Sequence, residues 1–156
     1  MTLGTQPGSG PMDRADSTQR SQRTRDRREA GDAGNNAALT GRIIRFAIKV
    51  HRRLGPGLLE SVYEACLCWE LEQAKLTYER QVPLAVRYEG VRLACGYRAD
   101  VIVARDVILE INSVEHILPL HEAQVLTYLR LSGCRLGLLL NFNTVLLKDG
   151  LRRFIP

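Results

Sequence analysis

The feature that most constrains the fold of this chain is a change in the spacing of its apolar residues after residue 74. Before that point, apolar residues recur at helical spacing, which predicts helices over about 39–54 and 58–74 with the sequence LGPG between them. From Tyr78 to Tyr88, apolar and polar residues instead alternate, as in a half-buried strand. The sequence therefore predicts helices that pack against a sheet.

The rest of the chain continues the sheet and adds one more helix. Residues 91–103 are predicted to form the return strand, and residues 107–114 a third strand after a short turn. A helix is predicted over 115–131, a buried strand over 134–142, and a hairpin-like piece at the C-terminus. The element order is ααβββαββ. A meander followed by a crossover helix implies an α/β (α+β-like) fold with a mixed central sheet flanked by helices.

Residues 1–38 differ from the remainder in composition. They contain almost no large apolar side chains and mix Arg, Asp, Gly, Ser and Gln without a period. Such a segment cannot bury enough surface to offset the entropy cost of ordering, so we predict a disordered N-terminal tail and a single domain over residues 39–156. The arginines of the tail are compatible with an arm for nucleic acid, whereas its interleaved acidic residues favour an inert tail.

The composition also limits the surroundings and partners of the chain. There is no run of about 18 apolar residues and no apolar region of a secretory signal, so we expect no membrane span and a cytoplasmic location. The four cysteines form no CxxC pair, which favours reduced thiols. The formal net charge of +5 is compatible with nucleic acid or another anionic partner.

Two of the predicted strands carry pairs of polar residues. Arg98 and Asp100 share a face of the second strand, and Glu110 and Asn112 share a face of the third. The short turn makes these strands antiparallel neighbours, so the two carboxylates could face each other and would then need a positive charge such as Mg²⁺. In the alternative, Asp100 pairs with Arg98 or Arg80 and Glu110 faces solvent. The spacing alone does not separate the two interpretations.

Polar residues on the helices favour the first interpretation. Glu60 and Tyr63 are neighbours on one side of the second helix, and His121, Gln124 and Tyr128 form a polar stripe on the third. Each of these residues alone is more typical of a satisfied boundary position than of a ligand. Their number on elements that bracket the same two strands indicates a site.

Several blocks of the sequence resemble the GxxExxY protein family. The block LGPGLLESVYEACL carries its signature at Gly57, Glu60 and Tyr63, and the likeness continues through YERQVPLAVRYEGVRLACGYRADVIV and LEINSVEHILPLHEAQVLTYLRLSG to the C-terminal strands. It covers about residues 39–156. That family is assigned to the PD-(D/E)XK nuclease-like superfamily, so the resemblance implies a core made of a mixed sheet with flanking helices.

The same resemblance implies a metal site and a partner. It places metal ligands at Asp100 and Glu110, adds Glu60 as an acid from a helix, and assigns a QxxxY pair to Gln124 and Tyr128. Mg²⁺ or Mn²⁺ would be the cofactor. The partner would be DNA or RNA. Because the sequence contains no helix-turn-helix, zinc finger or aromatic RNA-binding ribbon, we expect binding without sequence specificity.

The chain departs from the pattern of that family at one position. The strand motif E-x-K of the family is here Glu110-Ile111-Asn112, so Asn112 replaces the lysine. An asparagine can hydrogen-bond a water but brings no positive charge, and the loss of one electrostatic stabiliser typically costs about 3–4 kcal/mol in the transition state. Arg98 is the first candidate for a substitute cation.

The sequence thus supports two functions. The first is a metal-dependent nuclease-like enzyme that hydrolyses nucleic acid phosphodiesters, impaired by the loss of the lysine. The alternative is a catalytically inactive module of nuclease ancestry that binds nucleic acid or a protein partner. Asn112 favours the alternative, and the presence of all the other site residues favours the enzyme.

Overall fold

The computed structural model describes residues 36–156, except for the side chain of residue 95. Contacts between Cα atoms divide the chain after Leu39, and the packing described below belongs to Thr40–Pro156. The helices and strands are α1 (36–54), α2 (Glu60–Gln73), β1 (Tyr78–Tyr88), β2 (Val91–Val103), β3 (Val107–Asn112), α3 (Pro119–Ser132), β4 (Leu136–Asn141) and β5 (Leu151–Phe154), with a 3₁₀ turn at Leu147–Gly150 before β5.

The five strands form one mixed sheet in the order β1-β2-β3-β4-β5. Strands β3 and β4 are parallel, and the other neighbouring strands are antiparallel. A parallel pair needs a crossover connection, which α3 provides between β3 and β4. The predicted element order and the mixed sheet flanked by helices are therefore confirmed.

The sheet is buried deepest at its parallel pair. Every residue of β3 and of β4 is buried, which requires cover on both faces of the sheet. On one face, Val125 and Leu129 of α3 pack in a common core with Ile108 and Leu139. The fit at this face is so close that a Cβ atom on Gly137 of β4 would lie 2.5 Å from the side chain of Val125.

Each of the two N-terminal helices buries one stripe of apolar residues, although the helical spacing also predicted Leu54, Leu59 and Val62 on these stripes and they are exposed. In α2, Tyr63 stacks on Phe142, with ring centroids 4.4 Å apart, just after β4 ends. The fully buried or nearly buried side chains recur every three or four residues: Ile43, Ala47 and Val50 in α1, and Tyr63, Leu67 and Leu71 in α2.

The boundaries of three elements differ from the predicted ones. Helix α3 begins at Pro119 and not at residue 115, because a proline suits the first helical turn and disfavours helix in the residue before it. Strand β3 ends at Asn112, and β4 spans only Leu136–Asn141. The missing strand residues lie in the loops at the ends of the parallel pair.

The start of the first helix also differs. Residues 36–38, which the composition assigned to the tail, lie in α1, and the alanines Ala37 and Ala38 are strong helix formers. The remainder of the predicted disordered tail, residues 1–35, lies outside the described residues. Among residues 36–156, no helix has both the length and the apolar character needed to cross a membrane.

Candidate metal and active site

Strands β2 and β3 separate at Asp100 and Glu110, the two carboxylates predicted to meet. Their last main-chain register pair is Val101 with Leu109, one position before the two acids. Beyond it, Oδ2 of Asp100 accepts a hydrogen bond of 2.8 Å from the main-chain N–H of Ile111. The carboxylate thus takes the place of a main-chain partner and is fixed beside β3.

On the side of Asp100 away from β3, a distorted residue of β1 places its side chain beside the carboxylate. Gln81 has a φ of 53°, which is rare for a residue other than glycine, although its neighbours keep the regular register with β2. Its side-chain amide donates to Oε2 of Glu64 at 2.7 Å and lies 3.5 Å from Oδ1 of Asp100. Unusual backbone conformations of this kind are concentrated at functional sites.

Glu64 is an acid of this site that was not predicted from the sequence. Its side chain is buried, and its Oε1 accepts a hydrogen bond of 2.7 Å from Arg80, which forms an ion pair with it. The signal was present in the sequence, because Glu64 lies four residues after Glu60 and therefore on the same face of α2. Arg80 pairs with Glu64 and not with Asp100, so the predicted alternative pairing of Asp100 with Arg80 is wrong.

Glu110 is buried, and only part of its carboxyl group has a partner. Oε1 accepts a hydrogen bond of 3.1 Å from the side-chain amide of Gln124, whereas Oε2 has no partner among the described residues. Burial raises the pKa of Glu110 from 4.5 to about 8, and the negative charges of Asp100 and Glu60 add to the effect. The alternative in which Glu110 faces solvent is wrong, since the residue is 8% exposed.

Burial also raises the pKa of Asp100, and the nearby carboxylates Glu64 and Glu60 act in the same direction. The hydrogen bonds from Ile111 and Gln81 oppose this rise, because they stabilise the ionised carboxylate. The carboxylates named so far therefore repel one another electrostatically, and this repulsion is what a bound cation would relieve.

Helix α3 presents the predicted QxxxY pair to Glu110. The amide of Gln124 donates both to Glu110 and to the hydroxyl of Tyr128. Burial raises the pKa of Tyr128, with a smaller opposite effect from the hydrogen bond with Gln124. His121, the third member of the predicted stripe, instead accepts a hydrogen bond from the N–H of Leu118 through Nδ1 and caps the start of α3.

Glu60 joins the site at the end of β3. Its Oε1 accepts a hydrogen bond of 2.9 Å from the N–H of Ser113, and the hydroxyl of Ser113 donates to the carbonyl of Leu58 at 2.7 Å. These contacts tie the start of α2 to the end of the strand. Tyr63 does not belong to the site, because its hydroxyl bridges Gly55 and Leu58 in the loop before α2.

Asn112 and Arg98 are placed differently relative to the carboxylates. Asn112 is 9% exposed, and its Nδ2 is buried without a hydrogen-bond partner in the described part of the chain. Arg98 is exposed and lines an open groove between β1 and β2. Within residues 36–156, its guanidinium forms no ion pair with Asp100 or Glu110.

The described residues contain no group of three or more His, Cys, Asp or Glu side chains arranged as a ready metal site. Two carboxylates are nevertheless enough for Mg²⁺, which commonly keeps several waters. The unpartnered Oε2 of Glu110 and the hard oxygen donors around it fit such an ion. The residues present are therefore compatible with a magnesium or manganese ion.

A mixed sheet with acidic side chains where two of its strands separate is consistent with a nuclease-like protein. The family model of the PD-(D/E)XK nuclease superfamily matches residues 37–154, and the chain belongs to this superfamily. The closer resemblance to the GxxExxY family stays a prediction. Comparisons with the curated proteins and with the solved structures found no match.

Proposed function

We propose that this protein is a metal-dependent phosphodiesterase that cleaves nucleic acid, with Mg²⁺ or Mn²⁺ held by Asp100 and Glu110. Membership of the PD-(D/E)XK nuclease superfamily supports a nuclease-like function for the domain. The proposal adds the cofactor, the substrate and the roles of individual residues.

The observation that carries the proposal is the state of Glu110. A buried carboxyl oxygen without a partner is rare, since buried polar atoms are nearly always hydrogen-bonded. Its pKa of about 8 reflects burial beside Asp100 and Glu60, an arrangement that disfavours ionisation in the absence of a positive charge. A divalent cation satisfies both the orphaned oxygen and the excess of negative charge.

Each side chain then has a role that follows from its contacts. Asp100 and Glu110 hold the ion directly, and Glu60, whose carboxylate is tied to Ser113, acts through water. Gln124 orients Glu110 through its amide and places the hydroxyl of Tyr128 at the wall of the site. A metal bound here would polarise the phosphate and favour ionisation of a water.

Asn112 takes the position of the absent lysine. Its buried Nδ2 is free to donate to a water or to a phosphate oxygen, so it can orient either one, but it cannot offset the charge that develops on the phosphate. We therefore propose an enzyme with a reduced rate. Arg98 remains the candidate for a substitute cation, provided that its exposed side chain turns towards the phosphate when substrate binds.

Calorimetric titration of the full chain with Mg²⁺ and with Mn²⁺ tests the metal site without any assumption about the substrate. We expect the wild type to bind one ion and Asp100→Ala to bind it at least tenfold more weakly. Asp149→Ala is the matched control, because Asp149 is exposed in the turn before β5 and should bind as the wild type does. Equal affinity of Asp100→Ala and the wild type would overturn the proposed site.

Cleavage is tested next with single- and double-stranded DNA and RNA in the presence of either metal. The proposal expects at least one substrate to be cut by the wild type, and by Asp100→Ala only at background. If the protein binds the metal but cuts none of the four substrates, it is the inactive binding module.

A further inference from the structure

The β1–β2 hairpin changes direction beyond the site. Its register passes from Leu84 opposite Tyr97 to Val86 opposite Leu93, so one residue of β1 faces three residues of β2. Gly96, within this irregularity, has a φ of 76°, which glycine adopts without strain. An irregularity of this kind bends the hairpin.

The bend forms an open cavity of about 690 Å³, which we call the hairpin groove. Apolar residues of both strands line it, together with Arg92, Tyr97 and Arg98. The hairpin groove thus combines apolar lining residues with two arginines and one aromatic ring.

The charge of the hairpin groove is positive and unbalanced. Arg87 and Arg92 lie directly opposite each other on the two strands, and opposed like charges destabilise a hairpin unless an anion lies between them. The ion pairs of residues 36–156 lie elsewhere, and none of them includes Arg87, Arg92 or Arg98. Glu89, an exposed acid at the tip of the hairpin, offsets only part of this charge.

Tyr97 connects the hairpin groove with the candidate active site. Its ring is edge-on to that of Tyr128, with centroids 6.1 Å apart and planes at 68°. Tyr128 in turn contacts Gln124, whose amide reaches Glu110. Tyr97 is 43% exposed, so it keeps free surface while Tyr128 supports its position.

We propose that the hairpin groove binds a single strand of nucleic acid and leads it to Glu110, an inference that rests on the proposed function. Arg92 and Arg98 contact phosphates, and a base stacks on Tyr97. A single strand is favoured over a duplex because stacking on Tyr97 requires a base whose face is free, and duplex bases are stacked on one another.

Fluorescence anisotropy tests this inference with a labelled oligodeoxythymidine of about 20 nucleotides. The measurement is made in EDTA, so binding is observed without cleavage. We expect the single strand to bind at least tenfold more tightly than a duplex of the same length. Tyr97→Leu should weaken binding by about five- to a hundredfold, whereas Tyr97→Phe keeps the ring and should bind as the wild type does.

The arginines are tested by the double variant Arg92→Gln/Arg98→Gln. Loss of two phosphate contacts should lower the slope of log Kd against log salt by about 1.4 for a single strand. Arg105→Gln is the matched control, because Arg105 lies in the turn after β2 with its side chain 91% exposed and should leave binding unchanged. Thermal melting of each variant confirms that it folds.

The results separate this inference from the proposed function. If Tyr97→Leu or the double arginine variant binds the single strand as tightly as the controls do, the hairpin groove is not the binding surface, even if the wild type cuts nucleic acid. If wild type and Asp100→Ala both bind through the groove and neither cuts, the groove stands and the catalytic proposal fails. Equal affinity for the duplex or no binding of the single strand would each overturn the inference. Self-association of the protein through the exposed Tyr88 and Leu93, without binding of the single strand, would overturn it as well.

Discussion

Replacement of Glu110 by glutamine should remove a strong pH dependence from the stability of the metal-free protein. The pKa of Glu110 is about 8 in the folded protein and 4.5 as an ordinary glutamate, chiefly because the folded state buries the group. Between these values the folded state holds a proton that the unfolded state has lost. The free energy of unfolding must therefore fall as the pH rises. This contribution is complete below about pH 4.5 and is lost by about pH 8.

The size of this loss in the free energy of unfolding follows from the two pKa values of Glu110. A difference of one in pKa corresponds to about 1.4 kcal/mol, so the full loss is on the order of 5 kcal/mol. This is an upper value, because water can enter the site when the carboxylate ionises and so reduce the cost of its burial. In the range from about pH 6 to about pH 8, where a folded protein is easily studied, we expect a loss of about 2–3 kcal/mol.

Urea denaturation in EDTA over this pH range is the assay. The wild type should lose stability steadily, whereas Glu110→Gln should show a nearly flat profile, since glutamine keeps the shape of the side chain without the titration. Glu115→Gln is the matched control, because the side chain of Glu115 is 89% exposed, and its profile should follow that of the wild type. Mg²⁺ added near pH 8 should stabilise the wild type more than Glu110→Gln, because the ion binds the ionised carboxylate.

Parallel profiles of wild type and Glu110→Gln would refute this reasoning. They would mean that the carboxyl group of Glu110 is hydrated or is paired with a cation in the metal-free protein. The burial of Glu110 would then give no support to a metal site.

Three further predictions follow from single positions. Asn112→Lys should raise metal-dependent cleavage by roughly ten- to a thousandfold, because it restores one electrostatic stabiliser, and an unchanged rate would show that another cation already supplies the charge. Gly137→Ala should lower the free energy of unfolding by about 1–3 kcal/mol through overpacking. Gly41→Ala should raise it by about 0.5–1 kcal/mol, because a Cβ atom at this position of α1 would only touch the end of the Arg45 side chain, at 3.6 Å. Equal effects of the two substitutions in urea denaturation would contradict the packing described. Tyr63→Phe should cost about 1–3 kcal/mol because two main-chain groups lose their partner, and the exposed Tyr88→Phe, its control, should leave the melting curve unchanged.

The element order could be predicted because it depends on local patterns. Helical spacing before residue 74 and alternation after Tyr78 are written into neighbouring residues, and the structure has the elements at these places. The predicted boundaries of the elements were less accurate where the contacts that end an element come from residues far away in the chain. The predicted third strand ran on through Ser113 and Val114, but in the structure their main-chain N–H groups bind Glu60 and Asn141, which belong to other elements.

The sequence also indicated which polar residues share a region of the sheet. The short turn after β2 made Asp100 and Glu110 neighbours, and the stripe on α3 pointed to Gln124. The sequence could not show that the strands separate at this point, because main-chain pairing continues or stops according to what packs around it. The same holds for Glu64, whose spacing from Glu60 is visible but whose burial against Arg80 is not.

What the sequence by itself determined is therefore the set of elements and the types of residue available for chemistry. Only the tertiary structure decided which of these residues lose their contact with water. Glu110 and Asn112 each bury an atom that has no hydrogen-bond partner within residues 36–156, whereas Tyr63 and His121 are held in structural hydrogen bonds. The physical reason is that desolvation depends on every group around a side chain, and these groups come from α2, α3 and three different strands, which are far apart in the chain.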